Sequence, residues 1–115
     1  TTYISDDKQI TCTGFDTSLK LVWELFDFED NYPLLTEFDE STETKNLFLA
    51  GPQVKHGSAL FCFIYKYRQR FAIVAETIAD RLNIPKEKID EVIIEYKNNN
   101  FYLKDLDCCD NECIC

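Results

Sequence analysis

Four of the six cysteines of this chain fall within its last eight residues, in the run Asp107-Cys108-Cys109-Asp110-Asn111-Glu112-Cys113-Ile114-Cys115. Thiolates are soft metal ligands and two-electron redox groups, so Cys108, Cys109, Cys113 and Cys115 open two kinds of chemistry. Their number suits a tetrahedral zinc site, but adjacent and alternate cysteines depart from the usual pairs separated by two to four residues. Cu(I) accepts such a set more readily. A mobile dithiol arm is the second possibility, although the neighbouring Asp107, Asp110 and Glu112 disfavour the thiolate that must attack. Cys12 and Cys62 sit in apolar company and read as small buried hydrophobes.

The chain has one histidine, His56, preceded by Lys55 and followed by Gly57-Ser58. Histidine exchanges a proton near neutral pH, so His56 is the candidate catalytic residue, with a water-exposed loop position as the plain alternative. Arg68 falls within the apolar stripe of the helix described below, whereas Lys66 and Arg70 fall outside it. A buried arginine there would need an acidic partner or a phosphate.

These groups sit in 115 residues, of which 45% are hydrophobic and 14% aromatic, enough for one packed domain. The net charge of −9 disfavours nucleic acid and anionic membrane surfaces as partners. No apolar run approaches the roughly 20 residues of a membrane span, and Thr1-Thr2-Tyr3 opens no targeting pattern, so a cytoplasmic protein is expected. Crowding of the cysteines at one end argues against a secreted disulfide framework.

The residues dictate a sequence of elements. Residues 1–5 and 8–13 read as two β-prone arms of a hairpin around Asp6-Asp7, ending at Gly14-Phe15. Asp16, Thr17 or Ser18 can cap a helical run through Leu19, Val22, Trp23 and Phe26. Eight acidic and no basic residues occupy 24–43, which reads as a solvated loop pinned to the core only at Pro33-Leu34-Leu35-Thr36. Asn46-Leu47-Phe48-Leu49-Ala50 before Gly51-Pro52 predicts a buried strand. From Gly57-Ser58 to Leu82 the pattern predicts one helix of about 25 residues, on the order of 37 Å. Its apolar stripe takes in Leu60, Ile64, Tyr67, Phe71, Ile78 and Leu82, with Phe61, Val74 and Ala75 alongside. Asn83 is its stop, Pro85 starts a last helix through Ile89, Val92, Ile93 and Tyr96, and Asn98-Asn99-Asn100 breaks that helix.

Ile10-Thr11-Cys12-Thr13-Gly14-Phe15, followed downstream by Asn46-Leu47-Phe48-Leu49-Ala50-Gly51 and a long helix, resembles the last third of FAD-dependent pyridine-nucleotide oxidoreductases, over residues 8–82. The resemblance implies an α/β fold: the closing part of a Rossmann-like FAD-binding domain over residues 1–82, a helical extension over 83–106 and a cysteine tail over 107–115. It implies FAD as cofactor and NAD(P)H as co-substrate. Thr13, Gly14, Gly51, Pro52 and Gln53 would lie by the cofactor, with Lys55, His56, Gly57 and Ser58 beside them. In such proteins the N-terminus of the long helix, here Gly57, Ser58 and Ala59, faces the flavin with its partial positive charge. Some flavin disulfide reductases also carry C-terminal cysteine pairs, at spacings unlike those of this tail.

Two features depart from the family. Pro52 stands where many relatives have an acidic residue for the ribityl hydroxyls. The G-x-G-x-x-G fingerprint for the pyrophosphate is absent, and three glycines in all do not suffice to build it. A second polypeptide, or a further N-terminal segment, is therefore expected to complete the site, docking around Phe61 and Ile73. The competing expectation is a non-enzymatic metal-binding or interaction subunit acting through the cysteines.

Overall fold

The computed structural model describes Ile4 and residues 17–106. Among them the chain is a small mixed α/β protein with three helices and two two-stranded sheets. Apart from Ile4, the expected hairpin of residues 1–13, with Thr13, Gly14 and the cysteine tail, lies outside the described residues.

Thr17 caps the first helical segment, Ser18–Leu25, its Oγ1 accepting from the Leu19 N–H at 3.1 Å. This segment is a 3₁₀ helix broken at Val22, whose φ of −132° leaves two short turns, as expected of a geometry rarely sustained beyond a few residues. Leu19 and Phe26 are its buried anchors. The chain then forms a hairpin from β1 (Phe28–Glu29) and β2 (Tyr32–Pro33), paired Phe28 to Pro33 and Glu29 to Tyr32. Asp30 and Asn31 turn it, both at positive φ, which is the two-residue geometry that matches strand twist. A second antiparallel hairpin joins β3 (Lys55–His56) to β4 (Ala59–Leu60) through Gly57-Ser58, with Gly57 at φ 57°.

That second hairpin corrects the expected long helix. Phe61 N–H bonds to Val54 O at 3.1 Å, continuing the ladder, so helix α1 runs only over Ile64–Arg81. Gly57, Ser58 and Ala59 therefore form no helix N-terminus, and α1 is 18 residues, about 27 Å. The expected strand at 46–50 is likewise reduced to a single bridge between Phe48 and Glu40. Asn46 breaks it: the residue sits at φ 65° and its N–H bonds to Glu40 Oε1.

Helix α1 stops where the sequence indicates, with Asn83 at φ 56°. Helix α2 (Lys86–Asn98) follows Pro85 and ends before Asn100, at φ 57°. Two apolar clusters hold these elements. Val54, Ala59 and Phe61 form one, with Leu35, Leu49, Tyr67 and Leu103 against it. Ala72, Ile89 and Ile93 form the other between α1 and α2, with Ala79 and Tyr102 against it. Tyr102 donates to Glu76 Oε2 at 2.6 Å; burial first, and this bond second, push its hydroxyl above the usual phenol range.

The buried face of α1 is not the expected stripe. Arg70, Ala72 and Ile73 point inward, whereas Ile64, Phe71, Ile78 and Leu82 are 65%, 43%, 40% and 68% exposed. Phe61 and Ile73, expected as a docking surface, are spent on the core at 3% and 1% exposure. Arg68 is exposed, its guanidinium 4.5 Å from the centre of the Phe101 ring, and Arg70 is the buried arginine. Residues 71–75, Phe-Ala-Ile-Val-Ala, are apolar around the whole helix, so their pattern leaves the phase of the wheel open. No helix among the described residues is long and apolar enough to cross a membrane.

Candidate functional site

Six of the eight acids in the stretch expected to be solvated are exposed, but Asp39 and Glu40 are buried. Thr36 organises a tight loop, its Oγ1 accepting the N–H groups of Phe38 and Glu40 and its carbonyl accepting from Asp39 N–H at 3.0 Å. Asp39 sits at φ 63°, a region aspartate tolerates better than most residues, and its side chain is fully buried.

Two elements converge on that carboxylate. Arg70, from α1, grips it with one edge of the guanidinium: Nε donates to Oδ2 and Nη2 to Oδ1, each at 2.9 Å. The same guanidinium donates to the Leu103 carbonyl at 2.7 Å and the Glu37 carbonyl at 2.6 Å. His56, from β3, places Nε2 at 2.5 Å from Asp39 Oδ1. The ring also meets the Phe61 edge, with centroids 6.2 Å apart. Every buried side-chain polar atom among the described residues has a hydrogen-bond partner, which is what makes a charge pair at this depth tolerable.

Beside it lies a second pair. Arg81 Nη1 and Nη2 donate to Glu40 Oε1 and Oε2 at 2.6 and 2.5 Å, and Arg81 also reaches Asn46 Oδ1. The Arg81 bonds, aided by the Asn46 N–H, hold the Glu40 carboxyl down at about 2, and the same contact raises Arg81. Adjacent residues of one loop are thus tied to arginines eleven positions apart on α1, three helical turns along its length.

His56 lines a cavity of about 210 Å³ between the two hairpins, with Tyr32, Leu34, Lys55 and Gly57. The Lys55 ammonium stands 4.6 Å above the Tyr32 ring. A separate concavity of about 280 Å³ follows the Gly51 loop, lined by Leu19, Leu49, Ala50, Pro52 and Gln53. Gly51 is held at φ 133° with no atom within 4 Å of where a Cβ would project.

The residues expected beside a cofactor thus separate into two groups. Pro52 and Gln53 belong to the Gly51 concavity, and Lys55, His56 and Gly57 to the cavity between the hairpins, with the buried Val54 between them in sequence. Ser58 is exposed at the tip of its turn. Both spaces fall below the roughly 300 Å³ at which enclosed small-molecule sites begin. Among the described residues no group of three or more histidine, cysteine, aspartate or glutamate side chains can hold a metal.

Asp39, Arg70 and the Glu40–Arg81 pair are not apparent from sequence patterns. The one signal for them is Asp39-Glu40 inside an aromatic and hydroxyl-rich stretch, together with Arg70 three residues before Ile73 on the same helical face. Compared with models of known protein families, the sequence matches none.

Proposed function

We propose that this chain is part of a flavin-dependent oxidoreductase of the cytoplasm, the closing portion of a Rossmann-like FAD-binding domain that passes electrons from NAD(P)H to an acceptor. A further polypeptide or segment carrying the dinucleotide fingerprint completes the site. The observation that carries the reading is the succession in sequence of residues 10–15 and 46–51, with Leu49, Ala50, Pro52 and Gln53 on either side of Gly51 lining a concave surface. The exposed apolar line of Ile64, Phe71, Ile78 and Leu82 supports the second half of the proposal, since single exposed apolar residues are ordinary but a continuous helix face is not.

The flavin, when bound, supplies hydride acceptance and electron storage. The chain's own residues would then do three things. The Gly51 backbone lets a flat ring approach without a side chain in the way. Gln53, next to the Pro52 that stands at the acidic position of the resembled family, offers an amide for hydrogen bonding. His56 holds or receives a proton on a ring fixed by Asp39.

The test is NAD(P)H oxidation by the natively isolated assembly, followed as loss of the dihydronicotinamide absorbance. Turnover that disappears when bound flavin is removed and returns with added FAD is the expected result. Native material that neither contains flavin nor consumes either nicotinamide overturns the reading.

A further inference from the structure

We infer that Asp39, clamped by Arg70, is a positioning residue that fixes His56 as its Nε2–H tautomer, leaving Nδ1 as the hydrogen-bond acceptor for a ligand in the cavity between the hairpins. Both Asp39 oxygens take an N–H from Arg70, so the carboxylate meets His56 as an acceptor only, and Nε2 must be the donating nitrogen. The neutral ring then has one polar atom left, Nδ1, with a lone pair. His56 lines the cavity together with the Tyr32 hydroxyphenyl group and Lys55. A ligand seated there is recognised through an N–H or O–H donor, as an amide, amine or hydroxyl would present.

The clamp is built to resist reorientation. Arg70 is 1% exposed and makes four hydrogen bonds, two to Asp39 and one each to the Glu37 and Leu103 carbonyls, so Asp39 cannot turn away from His56 without breaking both of its bonds to a fixed guanidinium. Assigning the cavity's ligand to an electron-transfer reaction rests on the proposed function. The tautomer itself does not.

Since His56 is the sole histidine, its ring nitrogens give an unambiguous two-bond ¹H–¹⁵N correlation pattern in the flavin-free chain at alkaline pH. The expected pattern is a protonated Nε2, an unprotonated Nδ1 and a directly visible Nε2 proton, which a water-exposed imidazole exchanges too fast to show. Asp39→Asn should lose that proton signal, because only one polar atom of the amide accepts. An Nδ1–H tautomer in the wild type overturns the inference, as does a rapidly exchanging ring or an unchanged signal in folded Asp39→Asn. The wild-type spectrum decides the question even if the variant does not fold. A chain that shows the tautomer yet never binds flavin retains this inference and loses only the electron-transfer reading.

Discussion

Arg70 and Asp39, thirty-one residues apart in sequence, meet edge to edge with two 2.9 Å hydrogen bonds at 1% and 0% side-chain exposure. The pair ties α1 to the acidic loop, to β3 through His56, and to the segment after α2 through Leu103.

Replacing Arg70 with Met should strip the carboxylate of its partner and cost about 3–5 kcal/mol, because a buried charge left unpaired loses its desolvation compensation. Chemical denaturation measures this. Loss below about 1 kcal/mol would show that the clamp is peripheral.

The Glu40 pair gives a pH dependence with a definite sign. Its folded carboxyl is depressed to about 2 from 4.5, so its stabilisation is complete above about 4.5 and is lost as the pH falls through the folded value. Glu40→Gln should flatten this portion of the acid limb in thermal melts between about pH 4.5 and 2. A wild-type acid limb retained unchanged in the variant would contradict the assignment.

Gly51→Ala separates space from conformation. The new methyl meets no atom within 4 Å, so any cost comes from φ 133° alone and should be about 1–3 kcal/mol. If the melting temperature stays at the wild-type value, the loop accommodates a side chain by moving.

Ile64→Glu and Ile78→Glu alter the exposed face of α1. Each should change the stability of the isolated chain by no more than about 0.5 kcal/mol, yet abolish assembly with the completing segment. Denaturation and co-purification measured on the same variants distinguish the two effects; assembly at wild-type yield would remove this face from the interface.

The ends of helices were the most legible features. Thr17, Asn83, Pro85 and Asn98-Asn99-Asn100 act through local caps and left-handed stops, and each sits where its chemistry implies. The start of α1 was not legible, because Leu60, Phe61 and Ile64 continue a helical spacing through what is a hairpin two residues per strand. Nor was the site. Its acids lie in a stretch whose composition reads as solvated, and their burial depends on arginines supplied from thirty to forty positions away, a separation that no local pattern encodes. His56 alone was identifiable by residue type.

The most direct test of the flavoenzyme account is native followed by denaturing mass spectrometry of the protein as isolated, with an absorbance spectrum of the same sample. The account predicts a complex that contains this chain, a completing polypeptide or segment and one FAD, with the two-banded visible spectrum of an oxidised flavin. A lone 13.5 kDa species without flavin absorbance would contradict it.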